Sequence, residues 1–464
     1  MSTYWGLLRG PSVRRPRRRT LSLGPFALSV RGSALVAVMG IITAVLLVGV
    51  AIFILGHSEG DVVEYAVDDS RAFYIAEGGL ERARAYLTAL EEADPNANPI
   101  GQIIEGSVPG GGSYSVEIAE DANPYGWLDA YEVVSTGEKD GVLRQVKATV
   151  IAETFAIYQW FIGSTGGGFS WFRTGERFEG PVHLNGNIDV DGDPWFGGIV
   201  RAGGHANILQ GSNPTFERGY EEFVEKVDLP SRSELLSTLR AKSEEVGGKR
   251  FERIGPQGAY WKVELQGDHL SAAPYDKFDD PIPGGLVVNY DFAGTNGVIW
   301  FDDDIELQGV LDGEITIGVD GDVHIVGDVT YADSTPGNGP GPNCDDVLGV
   351  IAGGSSRGNI IIDRTDDNMN DCELHGVFMA LQNTIEAEDY QHYQPRGDLI
   401  LYGGLMAQSA IHIADYNNGG VLKSGYYRNY HYDSRVMTLP PPFFPFASNF
   451  SLATWEEVVP VVVS

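Results

Sequence analysis

"LGVIA" (348–352), "HGVFMA" (375–380) and "GGLMA" (403–407) set Gly349, Gly376 and Gly404 at spacings of 27 and 28 residues. Each is followed by a second β-rich run: "NIIID" (359–363), "TIEAED" (384–389) and "AIHIAD" (410–415). A coil of three short strands joined by bends accounts for a period near 27. Glycine suits the tight bends, and alanine the places where neighbouring coils crowd. The expected fold here is an irregular parallel β-helix, with "ADSTPGNGPGPNCDD" (332–346) inserted in one coil. A β-sandwich with glycine-rich turns would use the same strands and is the alternative.

The glycine-rich texture reaches back to about residue 154, through "WFIGSTGGGFSWFRTGERFEGPVHLNGNI". One helix interrupts it over about 231–246, where Ser231 and Glu234 form a capping box and Gly247 marks the end. We therefore assign 154–464 to one large β domain. Residues 57–153 read differently. Ala72, Ala76, Leu80, Ala83, Leu87 and Leu90 make an apolar stripe at helical spacing, weakened by Gly78-Gly79 and stopped by "DPNANP" (94–99). Alternation at Tyr114, Val116 and Ile118, then Tyr131 and Val133, then 142–152, predicts a three-stranded antiparallel meander.

Before that helix, Ser33 to Leu55 contains no charged residue. At 1.5 Å per residue it spans roughly 34 Å, enough for a bilayer core of about 30 Å. Residues 1–32 carry Arg9, Arg14, Arg15, Arg17, Arg18, Arg19 and Arg31 and no acid, which keeps this leader cytoplasmic. A secretory signal peptide would have a shorter apolar core and an A-x-A-like site, so 33–56 is read as a retained transmembrane helix. The chain is then a single-pass protein of the cytoplasmic (inner) membrane, with its C-terminal bulk outside. The whole is mainly β with one long N-terminal α-helix, membrane-spanning and then amphipathic.

Lys+Arg number 32 against 64 Asp+Glu, a net charge of −32. Such a surface repels nucleic acid and anionic headgroups, so nucleic acid is not an expected partner, whereas the cytoplasmic membrane is one through the helix 33–56. Cys344 and Cys372 are the two cysteines. Two sulfurs alone do not make a zinc site, whereas an exported domain permits a Cys344–Cys372 disulfide, which is expected.

The segments "RGSALVAVMGIITAVLLVGVAIF" and "RAFYIAEGGLERARAYL" resemble the N-terminal region of PilX-type minor pilins and type IV pilus assembly proteins. The likeness covers roughly residues 31–90, with Ala72, Phe73, Ala76, Glu77, Gly79 and Leu80 matching its second motif. The rest is similar to the large uncharacterised glycine-rich domain found behind such N-termini, through "FEGPVHLNGNI", "LGVIA", "YDSRV" and "LPPPFFP". The resemblance implies prepilin-peptidase cleavage after Gly32, leaving Ser33 as the new N-terminus. It also implies partners: other pilin-like subunits and the pilus assembly machinery. Major pilins carry glutamate at the fifth mature position, and here that position is Ala37, which suits a minor or tip component.

Motifs that would carry chemistry are weak. Gly354-Ser355-Ser356-Arg357-Gly358 matches G-x-S-x-G, but a strand-like run follows where a nucleophile elbow needs a helix. "EEVGGKR" lacks the spacing of a phosphate loop. "DVDGD" (189–193) starts like a calcium loop but has Val200 at position 12, so a turn is expected. Arg396-Gly397-Asp398 is a three-residue chance match that precedes a strand. "GYYRNYHYDSRVM" (425–437) is expected to cover an open end of the β-helix, the other reading being a ligand surface. Asp302, Asp303 and Asp304 cluster in turns and do not repeat at one coil position, so a polysaccharide-degrading enzyme is not expected. No cofactor, metal or catalytic residue is assigned. A minor pilin-like component is the leading function; a membrane-anchored scaffold or adhesin with an unidentified surface ligand is the alternative.

Overall fold

The computed structural model describes residues 30–94, 97–120, 129–164, 171–255, 257–341, 343–354, 357–365, 367–392, 394–417 and 421–459. The basic leader, apart from 30–32, and Ser355 and Ser356 of the G-x-S-x-G match lie outside them. The chain divides between Asp68 and Asp69 into two compact units.

Helix α1 (Val30–Ala93) is one uninterrupted element. In the second unit, Ala72, Ala76, Leu80, Ala83 and Leu87 are buried against an antiparallel sheet, with Leu90 half-buried. The stripe read from the sequence is therefore the packing face. Gly79 has a purpose there, since a Cβ on it would lie 2.3 Å from Ser135 Oγ. Gly137 is tighter still: its Cβ would meet Ala72 O at 2.1 Å and Ala76 N at 2.5 Å. Ser135 Oγ donates to Ala76 O at 2.6 Å, tying sheet to helix.

The sheet has five strands rather than the expected three: β1 (Ile103–Ser107), β2 (Ser113–Glu120), β3 (Ala130–Lys139), β4 (Val142–Thr154) and β5 (Phe446–Val458), side by side in that order. β5 comes from the far end of the chain and pairs antiparallel with β4, Phe450 opposite Ala152 and Trp455 opposite Ala148. Val116, Ile118, Val133, Val146, Ala148, Val150 and Phe450 close the core beneath α1. The glycine-rich region thus ends before residue 446 and is an insertion between two neighbouring strands. Phe155 N donates to Pro445 O at 2.9 Å where its two ends meet.

Within the insertion the strands stack in parallel ladders, one rung per coil, the arrangement of a parallel β-helix. One inward-facing column runs Tyr220, Val200, Val182, Trp160, Leu405, Phe378, Val350, Ile317, Ile299, Lys249. Two further faces carry ladders such as Trp261, Ile305, Val323, Ile360, Ile385, Ile411. The order of this column is not the chain order. The chain enters mid-stack at Trp160 and winds to Tyr220 at one end. It then crosses over along the outside, begins again at Lys249 at the other end, and winds back until Leu405 meets Trp160.

The crossover carries the expected helix, as the turns Arg232–Leu235, Leu236–Arg240 and Ala241–Glu244, with Ser231 and Glu234 forming the capping box. Leu235 and Leu239 pack on the outward side chains Val298, Trp300, Ile351, Val377 and Met379. "LPPPFFPF" covers the same face through Phe444. The strands of this face are therefore buried on both sides, which is why they read as continuous apolar runs without alternation.

The repeat is real, but its register is shifted by one at the middle coil. Gly349 pairs with Val377, which pairs with Gly404, while Gly376 stacks on Gly403. Gly376 and Gly403 have φ of 130° and 143°, and a Cβ on Gly403 would lie 1.9 Å from Gly376 O. Only glycine fits that corner. Gly349 has another reason, since a Cβ there would strike the Phe444 ring at 2.6 Å.

Candidate functional sites

The first unit holds the N-terminal stretch of helix α1. From Leu35 to Leu55 the large apolar side chains are all exposed, and Gly40, Gly49 and Gly56 have open space beside them. The segment is long and apolar enough to cross a membrane. Gly32 and Ser33 fall in the first turns of α1, and their side chains lie outside the described residues.

Acids and arginines line one corner of the β-helix. Asp302 and Asp320 follow paired residues Phe301 and Val319, and Asp304 and Asp322 precede paired Ile305 and Val323. The acids therefore do repeat at coil positions, contrary to the sequence reading. Each is engaged by neighbouring coils. Asp304 Oδ1 accepts from Asp322 N, Asp322 Oδ1 from Asn359 N, and Asn359 Oδ1 from Thr384 N, a side-chain ladder one coil per step. Arginines answer the other charges: Arg250 to Asp302 at 2.6 Å, Arg253 to Asp303 at 2.7 Å, Arg357 to Asp304 at 2.6 Å and Arg232 to Asp320 at 2.6 Å. Asp303, Asp304, Asp320, Arg253 and Arg357 line a cleft of about 140 Å³. Burial raises the Asp303 carboxyl above its usual range, with Arg253 opposing. Among the described residues no three His, Cys, Asp or Glu side chains converge to hold a metal ion.

The remaining motifs resolve into turns and core. In "DVDGD", Asp189 accepts from Asn207 Nδ2, Asp191 pairs with Arg173, and Asp193 accepts from Asn213 N. Arg396 of the RGD match is buried, lies 5.0 Å from the Tyr426 ring centre and donates to Tyr426 Oη at 3.2 Å. The tyrosine-rich segment is not at an end of the stack. Its strand Leu422–His431 runs parallel to Pro395–Ala407. Tyr430 packs on Trp160 and Phe178 of the first coil. Beside them Arg428 pairs with Glu176 at 2.8 Å, their side chains 6% and 5% exposed. This segment is the seam that joins the last coil to the first.

The insertion 332–346 folds over another face. Gly337 N donates to Glu373, and His375 Nδ1 accepts from Tyr331 N at 3.1 Å. That leaves His375 Nε2–H to donate to Glu373 Oε1 at 2.9 Å. Burial lowers the His375 pKa, so the neutral ring is favoured. Cys344 and Cys372 are buried free thiols in this structure. Cys344 Sγ lies 3.6 Å from Asp346 Oδ2 in the insertion, whereas Cys372 opens the strand Cys372–Ala380 facing the core. Burial pushes the Cys344 thiol up to about 11 and Cys372 higher still.

A family model described as a domain of unknown function (DUF4900) matches residues 128–204, from the start of β3 through the first coils. A search of curated proteins gave no match. Among solved structures, the chain is similar to the crystal structure of the competence-associated pilin ComZ from Thermus thermophilus. The identity is 14% and the TM-score 0.33, over 84% of this chain and 98% of that one.

Proposed function

We propose that this chain is a minor pilin-like structural subunit of a type IV pilus or related secretion system, anchored in the cytoplasmic membrane with its β-helix outside. The single observation that carries the reading is helix α1. It is apolar and exposed from Leu35 to Leu55, and further along it packs through Ala72, Ala76, Leu80, Ala83 and Leu87 on an antiparallel sheet. An apolar helix of this kind can wait in a bilayer and then bundle with similar helices. The N-terminal motifs resemble those of PilX-type proteins, and Ala37 in place of the glutamate of a repeating subunit favours rare incorporation. The reading is structural rather than enzymatic, since the acids of the β-helix corner are held by arginines and backbone N–H groups.

The test is fractionation. Sheared filaments should contain the chain at low stoichiometry, beginning at Ser33 by intact mass, and deletion should lower filament number without removing the major subunit. If the chain stays wholly in the membrane fraction while filaments form normally without it, a membrane-anchored scaffold or adhesin replaces this reading.

A further inference from the structure

The two ends of the β-helix differ. At the end that starts with Lys249–Phe251, the strand Tyr260–Gly267 is covered by the antiparallel strands His269–Tyr275 and Val288–Asp291. At the other end the last strands are Ala206–Ile208, Thr215–Phe216 and Tyr220–Glu222, and among the described residues each pairs only with the coil before it. The backbone bonds of this coil run back to that same coil: Leu209 N to Val190 O, Thr215 N to Pro194 O, Glu217 N to Phe196 O, Val224 N to Ala202 O. No residue from 203 to 234 is buried. The interior stack Phe178, Phe196, Phe216 ends half-covered, with Tyr220 against Phe216. Ile208, Leu209, Tyr220 and Phe223 stand 40%, 44%, 45% and 64% exposed.

Unpaired strand edges over an incompletely covered core template the addition of another strand. Around this edge Glu217, Glu221, Glu222 and Glu225 outnumber Arg218, Lys226 and Arg201, the last of which pairs with Glu221 at 2.9 Å. A second copy of the same end would bring like charges together. We infer that this end is a docking edge for an extended segment of another protein, in which lysine or arginine alternates with small apolar residues, added in parallel onto Tyr220–Glu222. The inference holds whether or not α1 enters a filament.

The probe is a labelled peptide, acetyl-Lys-Val-Thr-Val-Lys-Val-Thr-Lys-amide, titrated by anisotropy onto the full chain in neutral detergent. Two controls accompany it: the same peptide N-methylated at alternate residues, and one with glutamate for lysine. The parent peptide should bind at least tenfold more tightly than either. Glu217→Lys with Glu221→Lys should weaken it at least tenfold. A bimane on Phe223→Cys should shift to the blue on binding, and one on Phe278→Cys near the covered end should not. Absence of binding, equal binding of the N-methylated peptide, or an unchanged Phe223→Cys signal would overturn the inference. Self-association abolished by Tyr220→Lys would overturn it in favour of a second copy.

Discussion

Replacing Arg428 by methionine removes one partner of the ion pair that closes the seam between the last coil and the first. Arg428 Nη1 lies 2.8 Å from Glu176 Oε1, and its guanidinium sits 5.4 Å from the Trp160 ring centre. Without it, Glu176 keeps the bond from Arg173 N at 3.0 Å and little else to balance a buried charge. Breaking a buried pair in this way costs about 3–5 kcal/mol, whereas replacing both partners with apolar residues of similar volume is often near neutral. Arg428→Met should therefore lower the local opening free energy of the seam by about that amount. Glu176→Leu with Arg428→Met should recover most of it. The assay is hydrogen exchange on the full chain in detergent. Peptides covering 171–184 and 426–431 should lose protection while 299–319 keeps it. The single variant's penalty should also shrink toward acid. An orphaned carboxylate takes up its proton more readily in the folded state, so the folded chain binds the extra proton and stability falls as pH rises. A single-variant cost below about 1 kcal/mol, or a double variant no better than the single, would refute this account of the seam.

Gly137→Ala drives a methyl group into the backbone of α1 and should cost about 1–3 kcal/mol in denaturant titrations. Gly78→Ala, with open space around it, should stabilise by up to about 1 kcal/mol. Both thiols should resist a thiol reagent in the folded chain and react once it is unfolded; a folded chain that shows none after unfolding without reductant would mean they are bridged. His324 lies 2.9 Å from Asp363. Burial opposes its charge, but Asp363, Asp322 and Asp304 overcome that and raise its pKa above 6.5. Its contribution should be full below that value and lost as pH rises through the higher folded one, a dependence that His324→Leu should abolish when Tm is compared across pH 5.5 to 8.5.

Local chemistry was legible in the sequence wherever it is complete within a few residues. The Ser231–Glu234 capping box and the α1 stripe are both of that kind. The coil period was visible between Val350 and Leu405 because aliphatic runs and glycine recur there, but not in the first coils. Those place Trp160, Val182, Val200 and Tyr220 in one column at shorter, uneven intervals. What escaped depends on partners distant in the chain. Nothing near Phe450 announces that it will lie opposite Ala152, and nothing near Arg428 points to Glu176. The acids of the corner ladder looked like ordinary turn residues because stacking, which gives them partners, is invisible in one dimension. In the tyrosine-rich segment, composition suggested a cap over an open end, whereas coil closure made part of it core at the seam.

The placement of the β-helix between β4 and β5 has a mechanical consequence. A load applied to it reaches the sheet through two adjacent antiparallel strands at once, entering at Thr154 and Phe446, so neither strand carries the tension alone. Each of those strands is 13 residues long and pulled along its own length, a shearing direction in which rungs of the ladder yield together and not one after another. A single cut within the β-helix would still leave both pieces held by the sheet, one through each strand.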